Sequence, residues 1–394
     1  MQTPKGYRFA TAAAGFKKAG RKDLGLIVSD TPALGAAMFT TNLFAAAPVI
    51  VGKELLSRHN WFRAVMFNAG QANASTGDVG VSLCRQTLEL TAKTVGEGLK
   101  PEEILPASTG VIGPNLDIAK WEAVMPSLAE DLGQSGPEDF AKAIMTTDSF
   151  HKVASAQVVL EGGTVRLLGM AKGAGMICPN MATMLSVLLC DAKVDSSMWR
   201  KLVAEATELS FNRVSVDGDT STNDTLYALA NGASGVNVQG DEEIALKNGM
   251  VDVLKKLAYM LVQDGEGATK VIHIRIHGAS SREEAEKAAR TVAHSQLVKT
   301  AMYGQDANWG RIIAALGRSS VAFNPEDVLL SMCGVELFKN NMPCMYEDDP
   351  VLVEALKARD ICIEIQLGNG AYGYRMMTSD LTHKYVDINA DYRT

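Results

Sequence analysis

Runs of apolar residues, their period and the breaks between them divide this chain into candidate elements. Short apolar or β-branched runs at 24–29, 36–41 and 47–52, separated by polar or proline-containing breaks, predict strands. Another strand is expected at 62–68, before the small-residue loop A-G-Q-A-N-A-S-T-G (69–77). Helical periodicity runs from Val81 to Val95, and L-P-A-S-T-G-V-I-G (105–113) leads from a strand into a glycine-bounded loop. Helices are expected at 118–131 and 137–145. A-Q-V-V-L-E (156–161) and V-R-L-L-G-M (165–170) flank Gly162-Gly163, a hairpin turn. K-G-A-G-M-I-C-P-N-M-A-T (172–183) is a glycine-rich loop that opens into an apolar strand, Met184–Cys190. Two amphipathic helices, 196–209 and 241–263, bracket the polar run D-G-D-T-S-T-N-D (217–224). K-V-I-H-I-R-I-H-G (270–278) alternates as a half-buried strand. Helices follow at 282–292 and after Trp309, and strands and turns are expected from there to N-A-D-Y-R-T (389–394).

Strands in hairpin order mixed with paired helices predict an α/β chain of α+β layers rather than a regular βαβ series. At 394 residues there is room for one large or two ordinary cores. Hydrophobic content of 47% with 21% charged residues is that of a soluble globular protein. The net charge of −7 argues against nucleic acid, whose phosphates require clustered Lys and Arg. The one dense basic group, Lys17-Lys18 with Arg21-Lys22, reads as a solvated face. No apolar run reaches the about 18 to 20 residues that span a bilayer, and the first residues lack the apolar core of a secretory signal. The six cysteines are dispersed, with no C-x-x-C pair, which favours idle thiols in a reducing cytoplasm over a disulfide framework or a metal site.

The glycine-rich stretch ends at Ala182-Thr183, a small residue and a hydroxyl at the mouth of an apolar run. A threonine hydroxyl is a weak nucleophile without a nearby base, and no histidine lies within thirty residues on either side of Thr183. Cutting the chain before Thr183 would supply the base, because the freed α-amine titrates at about 7.7 to 8. The hydroxyl can attack the Ala182 carbonyl in an N-to-O acyl shift if the peptide is strained and its oxygen stabilised. Gly173 and Gly175 permit unusual backbone angles, and Pro179 stiffens the approach. The same stretch also reads as an ordinary strand start after a turn.

Three further stretches carry candidate chemistry. In A-S-T-G-V-I-G, Thr109 can present its O–H and Gly110 its N–H to one oxyanion, although a plain turn has the same residues. D-G-D-T-S-T-N-D superficially resembles a calcium loop, but Thr222 and Ala228 stand where Gly and Glu are required, so a polar, internally hydrogen-bonded loop is expected. In D-G-E-G-A-T-K (264–270), Glu266 can pair with a ligand ammonium or serve as a solvated turn acid. His273 and His277 share a strand face by their even spacing.

The ordered set S-T-G-V-I-G, M-T-T-D, K-G-A-G-M-I-C-P-N-M-A-T-M-L, D-G-D-T-S-T-N-D-T, D-G-E-G-A-T-K, Y-G-Q-D-A-N-W-G-R-I and N-A-D-Y-R-T resembles the ornithine acetyltransferase family of arginine biosynthesis, from about residue 6 to the end. The resemblance implies an N-terminal-nucleophile-like fold and self-cleavage between Ala182 and Thr183, giving an α chain (1–182) and a β chain (183–394). It implies acetyl transfer from N2-acetylornithine to glutamate through an acetyl-threonine on Thr183, with Thr109 and Gly110 as the oxyanion hole. Substrate contacts would fall on Thr146, Lys172, Thr183, Glu266, Asn389 and Thr394. It further implies a cytoplasmic α2β2 assembly with no metal and no cofactor, and leaves open whether acetyl-CoA serves as a second donor. An N-terminal-nucleophile aminopeptidase or amidohydrolase of the same fold is the alternative. Cys178 stands where many relatives carry His. Y-G-Q-D-A replaces a commoner Y-G-R-D-P, and residues 374–379 also depart from the family pattern.

Overall fold

The glycine pair at 162–163 turns the chain between two antiparallel strands, β5 (Lys152–Leu160) and β6 (Gly163–Lys172), with Leu160 opposite Gly163. They belong to a computed structural model that describes residues 2–17, 20–178, 184–344 and 348–391. The other strands of the same sheet are β1 (Tyr7–Ala12), β2 (Leu24–Phe39), β3 (Trp61–Gln71), β4 (Ile104–Val111), β7 (Leu185–Cys190) and β9 (Thr225–Ala230). Their order is β4-β3-β2-β9-β7-β6-β5, with β1 on β2. The sheet is the centre of a first unit made of Met1–Asn212 and Asp219–Leu261.

Strand alternation decides which helices cover each face. Leu168 and Met170 of β6, Val187 and Leu189 of β7, and Tyr227 and Leu229 of β9 share one core with Leu88, Trp121 and Phe140 from the helices 77–95, 118–130 and 137–143. On the other face, Gly169 meets Val253 and Leu257 of the long helix Glu242–Gln263. The unit is therefore layered α/β/α, in agreement with the expected class. Glycines admit the helices closely: a Cβ on Gly25 would sit 2.8 Å from the Phe140 ring.

Several sequence expectations change in the folded chain. Residues 47–52 are not a strand; they open the helix Ala47–Arg58, with Pro48 in its first turn. A short apolar run cannot distinguish a buried helix from a strand, and here proline pre-sets the helical φ. The runs 24–29 and 36–41 are one strand, β2, whose exposed centre (30–32) coincides with a register shift against β3. The chain beyond Trp309 is not strands and turns throughout, since it ends in the helix His383–Asp391. A helix at Gln296–Tyr303 also went unseen.

A second unit takes Arg213–Gly218 and Val262–Tyr392. Its sheet holds β8 (Val214–Ser215), β10 (Val271–Ala279), β11 (Leu329–Met332), β12 (Val335–Lys339), β13 (Met342–Pro343), β14 (Asp360–Gln366) and β15 (Tyr372–Ser379), in the order β13-β12-β11-β14-β10-β15-β8. The clean alternation of 270–278 is kept: Ile272, Ile274 and Ile276 pack with Ala285, Ala289 and Val292 of the helix Arg282–Ala293. His273 on the opposite face meets Asp360 at 2.7 Å. No disulfide joins any of the six cysteines, and no described helix is long and apolar enough to cross a membrane.

The compact units do not follow the expected scission point at 182–183. Strand β6 lies before it and β7 after it, yet they pair antiparallel from Leu167↔Cys190 to Lys172↔Leu185.

Phe140 is fully buried, edge-on to Phe67 at 5.4 Å and to Phe9 at 6.3 Å. Phe140→Ala is expected to destabilise the first unit by about 3 to 5 kcal/mol, the range for a buried aromatic truncation, measured by denaturant unfolding. A loss below about 1 kcal/mol would mean the helix 137–143 does not hold this face together.

Candidate active site

Two stacked glycines shape the end of β4. Strands β3 and β4 run parallel with Ala69 beside Thr109 and Gly70 beside Gly110, and the register shifts just there. Gly110 has φ +132°, and a Cβ on it would overlap the Gly70 carbonyl carbon. Gly70 itself has φ +116°, and a Cβ there would come within 2.7 Å of the Phe16 carbonyl oxygen. Only glycine allows three backbone segments to approach this closely. Below them the strand is fastened by buried polar groups. Ser108 Oγ–H donates to Asn68 Oδ1 at 2.6 Å, and Asn223 Nδ2 donates to the carbonyls of Ala72 (2.6 Å) and Ser108 (2.8 Å).

Lys172, the last residue of β6, donates from Nζ to Thr109 Oγ1 at 3.1 Å. A hydroxyl that accepts this bond keeps its own proton to donate elsewhere, and the adjacent cation makes that proton a better donor. Thr109 and Lys172, both named by the family resemblance, are thus brought into contact.

Thr146 reaches the same place through a residue that sequence reasoning missed. Asp148 is buried and accepts from the Thr146 N–H at 2.9 Å, the Gly173 N–H at 2.6 Å and Lys152 Nζ at 2.7 Å. Burial alone would raise its pKa. The charges of Lys152 and Lys172 and the hydrogen bonds from Lys152 and Gly173 outweigh that and hold it at about 2. The available signal was the i, i+4 spacing of Asp148 and Lys152, which without helical context carries no weight. Beyond Asp148 the loop bends sharply, with Gly173 at φ +151° and Met176, a non-glycine, at φ +56°.

The polar run 217–224 behaves as an internally bonded loop and also as a clamp. Thr222 Oγ–H donates to Asn223 Oδ1 at 2.7 Å, and Thr220 Oγ–H donates to the Cys178 carbonyl at 3.1 Å. With Asn223 bonded to β4, the loop holds both that strand and the glycine-rich stretch. Lys17, expected on a solvated face, is half-buried with its Nζ 2.7 Å from the Ala143 carbonyl.

In the second unit, Glu266 is buried and accepts from Asn389 Nδ2 at 2.8 Å. Gly267 makes this contact close, since a Cβ there would lie 2.7 Å from the Tyr385 nitrogen. Thr382 Oγ–H caps the Gly267 carbonyl at 2.9 Å. Ala182, Thr183 and Thr394 lie outside the described residues. Met184, the first described residue after them, accepts at its carbonyl from the Thr225 N–H at 2.9 Å.

The ArgJ family model matches residues 8–394 of the chain. The arginine biosynthesis bifunctional protein ArgJ of Nitratidesulfovibrio vulgaris is 59% identical over 392 residues, covering 100% of this chain and 99% of its own. Its counterpart in Chlorobaculum tepidum is 43% identical over 393 residues, covering 99% and 96%. The crystal structure of the arginine biosynthesis bifunctional protein ArgJ of Bacillus halodurans matches 53% of this chain and 100% of its own, with a TM-score of 0.51 and 35% identity.

Asp148 has a lowered pKa in the folded state, so the stability it contributes is present above pH about 4 and is lost as pH falls toward about 2. Asp148→Asn should cost about 3 to 5 kcal/mol at neutral pH, because buried Lys152 loses its carboxylate. The variant should also lose this part of the wild-type acid sensitivity. Denaturant titrations from acid to neutral pH read both, and an unchanged acid limb would assign it to other groups.

Proposed function

The chain belongs to the ArgJ family, and from that premise we propose that it is an acetyltransferase of arginine biosynthesis, moving acetyl from N2-acetylornithine to glutamate. In this reading the chain first cuts itself between Ala182 and Thr183. Thr183 Oγ adds to the Ala182 carbonyl carbon, the C–N bond breaks with proton transfer to nitrogen, and water hydrolyses the resulting ester. The new α-amine then serves as base. Thr183 Oγ adds to the acetamide carbonyl of the donor, and its proton passes through the amine to the departing ornithine nitrogen. The amine of glutamate attacks the acetyl-threonine ester and restores the free hydroxyl.

The observation that carries this reading is the Lys172–Thr109 contact, in which the Thr109 hydroxyl accepts and so keeps its own proton for a developing oxyanion. The β6–β7 pairing supports self-cleavage: both fragments would stay in one sheet after the cut, as an enzyme built from two chains of one precursor requires. Charge complementarity adds to it. Lys172 suits the α-carboxylate common to both amino acids, and Glu266, aligned by Asn389, suits the ornithine ammonium. Thr146 and the terminal Thr394 complete the proposed substrate contacts. The enzyme acts in the cytoplasm as an α2β2 assembly, and acetyl-CoA serves as a second acetyl donor for glutamate.

Thr183→Ala is expected to remain one full-length band on a denaturing gel and to be inactive. Normal processing of that variant would remove Thr183 as the attacking group. Thr109→Ala should slow cleavage and transfer by about 10²- to 10³-fold. Intact mass spectrometry during turnover should find one acetyl group on the fragment that begins at Thr183. Release of acetate from acetylornithine at the same rate with and without glutamate would instead indicate an amidohydrolase. Acetylglutamate formation from glutamate with acetyl-CoA as the sole acetyl donor checks the second donor.

A further inference from the structure

The loop before β2 brings a third lysine to the site. Asp23, almost fully buried, accepts from the N–H groups of Ala14 (2.6 Å), Phe16 (2.6 Å) and Lys17 (3.2 Å) and so fixes this loop. The Phe16 ring packs beside Trp121 at 6.2 Å, and the Phe16 backbone lies against Gly70, the strand partner of Gly110. Lys17 is therefore carried on a built segment that rests on the oxyanion strands. Its side chain turns toward the end of the helix Pro137–Ala143, three residues before Thr146, and donates to Ala143 O at 2.7 Å and Lys22 O at 3.3 Å.

Among the described residues both acceptors are neutral carbonyls, and they take two of the three protons of the ammonium. Arg21, Asp23, Lys172 and Asp148 are the charged groups that act most strongly on Lys17. The two acids are already engaged: Asp23 with three backbone N–H groups, and Asp148 with Thr146, Gly173 and Lys152. Lys172, the cation that touches Thr109, is one of those whose charge acts on Lys17, so half-buried positive charge gathers on this side of the first unit, and an anion would relieve it. In the acetyl-transfer reading, on which this step rests, donor and acceptor share one anion, the α-carboxylate. That group is attached to the carbon that bears the reacting nitrogen, next to the oxyanion donors.

We propose that Lys17 is a second carboxylate-binding residue of the site, gripping with Lys172 the α-carboxylate of acetylornithine and of glutamate in turn. A carboxylate has two oxygens and accepts two ammonium groups, which orients it better than one. Burial, with help from Arg21 and Lys172, lowers the Lys17 pKa to about 8, partly offset by Asp23 and Asp148. The grip should therefore weaken as pH rises through that value.

Steady-state kinetics on self-cleaved enzyme, with acetylornithine and glutamate varied separately across pH 6 to 10, test this. Lys17→Met is expected to raise KM for both substrates by about 10- to 100-fold, the effect of one lost charged hydrogen bond, with the loss carried by KM rather than kcat. Lys17→Arg keeps the charge at every pH tested and should abolish the rise in KM that wild type shows above about pH 8. Unchanged KM values in Lys17→Met would overturn the assignment. So would an increase for glutamate alone, which would place the cation on the side-chain carboxylate, or an alkaline limb that persists in Lys17→Arg. If Lys17→Met does not fold or self-cleave, the pH profile of Lys17→Arg decides. Wild type that transfers no acetyl group would sink the transferase reading itself, an outcome separate from any result on Lys17.

Discussion

One buried carboxylate sets the geometry around which the first unit's chemistry is arranged. Asp148 ties the backbone of Thr146 to that of Gly173 and neutralises Lys152, and both charged side chains are buried. A buried carboxylate that accepts this many donors is held in one rotamer, and its partners are held with it. Because Gly173 follows Lys172 directly, the same anchor fixes where β6 ends and from where the Lys172 side chain reaches Thr109. Removing the carboxylate would loosen three segments together, which neither Thr146 nor Lys172 could restore alone.

The second constraint is steric. Phe16, Gly70 and Gly110 stack backbone on backbone, a separation that any Cβ would prevent. Asn223 and Ser108 then satisfy the polar groups that this close approach buries. Such rigidity suits the oxyanion role proposed for Thr109 and Gly110, because donors that must reorganise during reaction lose much of their effect. The pairing of β6 with β7 adds a different rigidity. It holds the segments before and after residues 182–183 in one ladder, so a break in the loop between them does not release either strand.

In the second unit the same economy of parts recurs. Glu266 is oriented by Asn389 from the helix His383–Asp391, and that helix is seated by Thr382 and by the absence of a side chain at Gly267. The D-G-E-G-A-T-K stretch and the C-terminal stretch, far apart in sequence, form one local structure. Its purpose is legible only from both.

Local pattern by itself determined much of this protein. The alternation at 270–278, the hairpin at Gly162-Gly163, most helices and the polar character of 217–224 follow from period, turn chemistry and composition. The motif order identified Thr109, Gly110, Lys172 and Glu266 as candidates. Tertiary structure alone decided which of them meet. It turned 47–52 into a helix, joined two apolar runs into β2, and set Lys17 on the Ala143 carbonyl rather than in solvent. It also made Asp148 the anchor. The physical reason is that period and propensity act over a few residues, whereas desolvation and charge pairing depend on neighbours that only the folded sheet brings together.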